Sequence, residues 1–221
     1  MLAEFGPFFT LAADPRAAAT ADLYRNSGGV LDALVDRHAA RLRTTERRVA
    51  ASILYQEFAA RLWSPVLGCL ALGRPPPDLR VRRLRWRADP FGLAVSSHGT
   101  RAATPAVLVD EHLRPMATAL HDCTRVAVSL LWGNAASALV GTVTVLRLHG
   151  RPFDAGLVRD LLDVPPLRGA GTLLDGDPPA FRRRSCCLYY RLPSGGLCSD
   201  CCFTSAPSLR WRARSDGGAD R

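Results

Sequence analysis

Residues 126–146 read VAVSLLWGNAASALVGTVTVL, and the reading of this run decides the fold. The run has no charged residue and is long enough to cross a bilayer, which takes about 20 apolar residues. Yet Asn134 sits at its middle beside Trp132 and Gly133, and alanines, serines and threonines dilute the rest. A polar side chain is costly in hydrocarbon, whereas a packed protein interior offers it hydrogen-bond partners. The run is therefore expected to be the buried helix of a helical core. Asn134 should bond to a neighbouring helix or orient a loop packed against its own.

Helical periodicity continues on both sides. Leu31, Leu34, Val35, His38 and Leu42 repeat at helical spacing after the break at Gly28 and Gly29. A second helix is expected through Ile53, Leu54, Phe58 and Leu62, capped by Thr44 or Thr45, with Glu46 in its first turn. Pro65 should kink or end it. Residues 111–149 read as two helices parted near 122–124. Between these regions, LRVRRLRWRAD (residues 79–89) alternates imperfectly, with Leu79, Val81, Leu84 and Trp86 as inward positions. A turn at Asp89, Pro90, Phe91 and Gly92 would pair it with residues 93–97. Residues 151–180 combine a short amphipathic piece (Leu157, Leu161, Leu162) with many prolines and glycines, and so read as a connecting segment.

The chain has 221 residues, 48% hydrophobic and 22% charged, enough for one folded domain with a real core. Its net charge is +9, and all 29 basic residues are arginine. That balance favours acidic partners and leaves peripheral membrane contact open. The arginines are scattered, aromatics make up only 7%, and no nucleic-acid module is present, so nucleic-acid binding is not expected. The N-terminus, MLAEFGPFFT, has Glu4 and no basic stretch before an apolar run, so a cytoplasmic protein with reduced thiols is expected.

In that setting one segment carries the chemistry: RRRSCCLYYRLPSGGLCSDCC, residues 182–202. Cys186 and Cys187 are followed, ten residues later, by Cys198, then Cys201 with Cys202 beside it. Pro193, Ser194, Gly195 and Gly196 form a turn that can fold the two halves together. Four thiolates is the number a 2Fe-2S cluster takes, two per iron. A structural zinc site also uses four cysteines, though usually as two CxxC-like knuckles. A disulfide framework would need an oxidising compartment. Cys69 and Cys123 stand alone in apolar helical contexts and read as packing residues.

The spacing C-C-x10-C-x2-C resembles the C-terminal signature of FhuF-like ferric siderophore reductases. Arg184, Ser185 and Tyr190 near the cysteines are similar to that family too. So are the runs Leu131, Trp132, Gly133, Asn134 and Ala60, Arg61, Leu62, Trp63, Ser64, Pro65. The resemblance implies a cytoplasmic reductase that passes one electron through a 2Fe-2S cluster to a ferric siderophore, with Cys186, Cys187, Cys198 and Cys201 as ligands. Cys202 is additional to that pattern and is an alternative to Cys201. The electron would come from a ferredoxin-like protein or a reduced flavin, since no Walker loop or GxGxxG motif indicates a bound nucleotide. The substrate expected is a siderophore of hydroxamate type. A cluster-bearing electron carrier and a zinc-stabilised interaction module are the alternatives. Arg182, Arg183, Arg184 and Arg191 could raise the cluster potential, or could be solvated surface charges.

The fold expected is α+β and mainly helical: a siderophore-binding body over residues 1–180 with a small antiparallel sheet around 79–97. A cluster-binding segment over 181–203 should lie against it, followed by a flexible tail, 204–221. The five histidines show no ligand pairing and read as structural or surface residues.

Overall fold

A computed structural model describes residues 2–11, 14–89, 92–101, 104–151, 153–176, 180–205 and 207. Most of the tail expected at 204–221, and the tip of the turn at Pro90 and Phe91, lie outside the described residues.

Two long helices, α3 (Arg47–Ala71) and α6 (Val128–Leu148), pack side by side at the centre. The apolar run at 126–146 forms most of α6. This helix is long and apolar enough to cross a membrane, but 72% of its most apolar window is buried inside the protein, with Asn134 fully enclosed. Around this pair lie α1 (Thr20–Tyr24), α2 (Val30–Arg41), α4 (Pro105–Leu108), a π turn (Val109–Leu113), α5 (Arg114–Thr124) and α7 (Ala155–Leu162). The helical expectation for residues 31–42 is met by α2, which buries Leu31, Leu34, Val35 and His38. The break expected near 122–124 follows α5, at Arg125 in the left-handed conformation (φ 59°).

The structure corrects three local expectations. First, of the two outcomes expected at Pro65, an end to the helix is excluded: α3 continues to Ala71. An interior proline removes a backbone donor and costs roughly 3 kcal/mol. Burial of Leu62, Trp63, Val66 and Leu67 offsets that cost, as does the hydroxyl pair Ser64–Thr142 (3.1 Å) that joins α3 to α6. Second, Glu46 itself stands at the cap of α3, with Thr44 Oγ1 accepting the Glu46 N–H (3.2 Å). Third, residues 79–84 form a turn. Asp78 Oδ1 accepts the Arg80 N–H (3.2 Å), and the Arg83 and Leu84 N–H groups return to the Arg80 carbonyl (2.7 and 3.1 Å). This aspartate turn chemistry overrides the hydrophobic alternation.

The strand begins only at Arg85. Strands β1 (Ala18–Ala19), β2 (Arg85–Asp89) and β3 (Gly92–Ser96) form an antiparallel sheet in that order, with Trp86 opposite Val95. A second hairpin, β4 (Gly171–Leu174) with β5 (Ala180–Arg183), leads directly into the cysteine segment. The fold is thus α+β and mainly helical. The histidines make bonds suited to structural roles: His112 Nδ1 lies 2.6 Å from the Tyr24 hydroxyl, for example, and His121 Nδ1 lies 2.9 Å from the Val126 carbonyl.

Candidate metal centre

The chain leaves β5 at Arg183 and immediately enters the cysteines. Leu188, left-handed at φ 67°, turns it into a 3-10 turn, Tyr189–Arg191. The Gly195 N–H then bonds the Leu192 carbonyl (2.9 Å) and reverses the direction. This is the turn expected between the two cysteine groups. A side chain at Gly195 would run into the Tyr189 carbonyl, which is backbone and cannot rotate away. Gly195→Ala is therefore expected to destabilise this turn by about 1–3 kcal/mol. Iron retained per chain after gel filtration, compared with wild type, checks it.

The segment is braced on the two central helices. Gly133 makes room for it, since a Cβ there would lie 2.7 Å from Ser185 Oγ. Ser52 Oγ donates to the Cys187 carbonyl (2.6 Å), and Asn134 Nδ2 donates to both the carbonyl and the Oγ of Ser52 (2.8 and 2.9 Å). Asn134 therefore bonds a neighbouring helix and supports the cysteine segment at once.

Asn134 Oδ1 accepts from Arg183 Nη1 (2.5 Å). The Arg183 side chain is fully buried, and its Nη2 also reaches Asp200 Oδ2 (3.2 Å) and Gln56 Oε1 (3.5 Å). The Arg183 N–H bonds the Asp200 carbonyl (3.0 Å), and Ser137 Oγ donates to the Asp200 carboxylate. Burial pushes the Asp200 carboxyl up, but Ser137, Ser199 and Arg183 together outweigh it and hold its pKa below the usual range. At the other end, Arg191 Nε bonds the Glu46 carboxylate (2.9 and 3.1 Å), tying the segment to the start of α3.

Five thiols meet on this support. Cys187 is buried and the other four are half-buried. Cys187 Sγ donates a hydrogen bond to Cys198 Sγ (3.5 Å), and no disulfide joins any of the seven cysteines. The hydrogen bond from Cys187 holds the Cys186 thiol below its usual pKa. The bond with Cys187, followed by burial, pushes Cys198 up. Cys201 and Cys202 act electrostatically on Cys186, and Cys202 feels Cys187 and Cys198, so all five are neighbours. The Leu188 N–H points to Cys186 Sγ (3.3 Å), and the Phe203 N–H points to Cys201 Sγ (3.4 Å). Cys69 and Cys123 lie outside this group, in α3 and α5.

This donor set suits an iron–sulfur cluster. All five donors are soft sulfur. Two irons need their thiolates spread as two pairs. A four-thiolate cluster is negative overall, and the buried Arg183 places a fixed positive charge that acts on both Cys187 and Cys198. Arg183 Nε is buried without a hydrogen-bond partner.

The cysteines and Asn134 stand out in the sequence. Arg183 does not, being one of several arginines near the cysteines, and Asp200, Ser137, Ser52 and Gln56 are ordinary polar residues that carry no signal. The one available clue is the register of Arg183 in a short strand, which turns it inward while Arg182 and Arg184 point out.

A mainly helical α+β body that presents a braced group of five cysteines defines the class: a protein with a thiolate-rich centre whose donors suit an iron–sulfur cluster. Residues 183–203 match the family model of the FhuF 2Fe-2S C-terminal domain. The chain thus carries the 2Fe-2S type of cluster. No curated protein matches the chain.

Proposed function

We propose that the protein is a cytoplasmic ferric siderophore reductase, with Cys186, Cys187, Cys198 and Cys201 holding the cluster. The observation that carries this reading is the group of thiols on the buried Arg183 brace, within the matched 2Fe-2S segment. Cys201 is preferred to Cys202 because Cys186 and Cys201 each receive a backbone N–H from two residues further on. Such bonds stabilise thiolates and tune cluster potentials.

A 2Fe-2S cluster supplies one electron, taken up from a ferredoxin-like protein or a reduced flavin and passed to the siderophore's iron(III), which leaves as iron(II). Siderophores of hydroxamate type hold the hard iron(III) cation through oxygen and hold iron(II) far more weakly, so reduction alone releases the metal. No general base or nucleophile is required of the protein. Arg183 balances the charge added on reduction, and the loop bonds to Ser52 and Glu46 fix the thiols in place.

The test is to reduce the anaerobic protein stoichiometrically and mix it with a ferric trihydroxamate in the presence of a ferrous-specific chromogenic chelator. The expected result is return of the oxidised visible spectrum with one ferrous ion trapped per cluster. No reoxidation by ferric chelates, with rapid reoxidation by a protein acceptor, would make the protein an electron carrier. A colourless protein with stoichiometric zinc would make it a structural module.

A further inference from the structure

A cavity of about 700 Å³ opens beside the cysteines. Its floor is one stripe of α3 (Ile53, Gln56, Glu57, Ala60 and Arg61), Phe8 covers one side, and Tyr189, Cys187 and Cys198 close the far side. Cys186, Cys201 and Cys202 do not line it. The thiol group therefore has a second side, carried by the exit from β5 and by the loop after Asp200.

That second side continues into a surface built by strand alternation. Phe181 and Arg183 of β5 are buried, so Ala180 and Arg182 face outward. Arg184, one residue past the strand, is exposed as well. Across the hairpin Arg182 stands opposite Thr172 and Ala180 opposite Leu174, and both partners are exposed. On the other edge of β5, the Arg183 N–H bonds the Asp200 carbonyl (3.0 Å), which draws the loop carrying Cys201, Cys202 and Phe203 alongside. Phe203 is exposed, with the Tyr190 ring edge-on to it at 5.8 Å between centres. Its amide is the one that points to Cys201 Sγ (3.4 Å). The surface is thus tied by a hydrogen bond to the thiol group.

Its charges have one sign. Arg183 and Arg191 are paired with Asp200 and Glu46. Arg182 and Arg184 are exposed and have no ion pair among the described residues. The outward positions of β4 and β5 hold no acid, and Asp175, just beyond β4, pairs with Arg159 (3.5 Å). Arginine beside an exposed aromatic is the composition that protein–protein contacts favour. The net charge of +9 adds a field of the same sign at longer range.

We propose that this surface receives the electron donor, and that the donor is a protein with an acidic face around its own redox centre. The proposal rests on the reductase reading and fixes the donor's class and place of contact. Arg182 and Arg184 meet the donor's carboxylates, and Phe203, backed by Tyr190, supplies the apolar contact. One electron leaves the reduced donor and enters the oxidised cluster from the Cys201 side; no covalent bond forms and no proton moves.

The probe is fully reduced flavodoxin, a small acidic protein whose one-electron oxidation gives a colour distinct from that of an iron–sulfur cluster. It is mixed rapidly with the oxidised, cluster-loaded protein at increasing salt. Wild type should be reduced fastest at low salt and more slowly as salt screens the contact. The double variant Arg182→Glu, Arg184→Glu should be slower by about tenfold or more at low salt, with the gap closing at high salt. Phe203→Ala should need several-fold more flavodoxin for half-maximal rate at every salt. Free reduced riboflavin, the same redox group without the acidic protein, should show no salt-dependent difference among the three. A gap between wild type and the double variant that is equal at every salt reflects a changed cluster potential and would overturn the charged contact. Wild type reduced by riboflavin but not by flavodoxin would overturn the proposal and make the donor a small molecule. Binding to phosphatidylserine vesicles that the double variant loses, with flavodoxin rates unchanged, would assign the surface to a membrane instead. The reductase reading is judged separately, on chemically reduced protein mixed with a ferric trihydroxamate: no reoxidation there, with flavodoxin reduction intact, would sink that reading and leave the docking surface standing.

Discussion

Cys198→Ser protein, purified without oxygen, is expected to be colourless and free of iron and inorganic sulfide, whereas Cys202→Ser protein should keep the red-brown colour. The geometry behind the first half is the approach of Cys187 and Cys198. Two thiolates at about 2.3 Å from a shared tetrahedral metal stand about 3.8 Å apart. The separation here is 3.5 Å, a thiol hydrogen bond with no disulfide between the sulfurs. On the proposed ligand set, these two cysteines, from opposite halves of the segment, would pair on one iron. A serine oxygen at either position replaces a soft donor with a hard one on a shorter bond. The second half rests on the loop beyond Asp200. Cys201 closes a turn onto the Cys198 carbonyl (3.1 Å) and receives the Phe203 N–H at its sulfur. The amide that acts on the Cys202 sulfur is its own rather than one from two residues further on, and Cys202 is half-buried. Cys201→Ser should therefore lose the cluster, or hold a more labile one. Visible absorption, iron and sulfide content, and the paramagnetic signal of the dithionite-reduced proteins check all three variants. Retention of the wild-type signal in Cys201→Ser and its loss in Cys202→Ser would exchange the two roles.

Much of this centre is legible in the sequence, because it depends on local spacing. A CxxC turn, a Pro-Ser-Gly-Gly reversal and a Cys-Cys pair are short-range features. The helices are legible for the same reason: Leu31, Leu34, Val35 and His38 repeat at helical spacing, and Asn134 in an apolar run marks a buried polar contact. What the sequence hides depends on pairing across the chain. The strands β1, β4 and β5 have two or four residues each, too short for alternation to register. Asp78 replaces the expected strand at 79–84 with a side-chain turn that the leucine pattern masks. Glu46 looks like an ordinary first-turn acid, yet it ties α3 to Arg191, 145 positions away in sequence. The cavity exists only in three dimensions. Its floor is an α3 stripe, its cover comes from Phe8 near the N-terminus, and its far side from the cysteines.

The burial of Arg183 has the second large consequence. An arginine whose side chain has no exposure is destabilising unless its charge and donors are matched. Here Asp200 at 3.2 Å, Asn134 at 2.5 Å and Gln56 at 3.5 Å match its charge and its Nη donors, while Nε is left without a partner. Replacing it with methionine keeps much of the volume but leaves the Asp200 carboxylate buried opposite nothing positive. Breaking one partner of such a pair typically costs about 3–5 kcal/mol. For a chain of this size that lowers the melting temperature by roughly 6–20 °C. Arg183→Met is expected to show this loss in the cluster-free protein, since the brace holds Cys187 and Cys198 whether or not metal is bound. Adding Asp200→Asn should restore part of the stability, because it removes the stranded charge. The same double variant should restore the cluster potential only in part, because Asp200→Asn removes a negative charge that acts on Cys198 but does not replace the positive charge that Arg183 places beside both Cys187 and Cys198. Reduction adds a negative charge beside Cys187 and Cys198, and in wild type the Arg183 charge stabilises that state. Without it the potential should fall, as measured by redox titration of whatever fraction of the variant loads. A merely structural role for Arg183 would predict that potential and stability recover together in the double variant. An electrostatic role predicts that the potential stays below the wild-type value even where stability recovers.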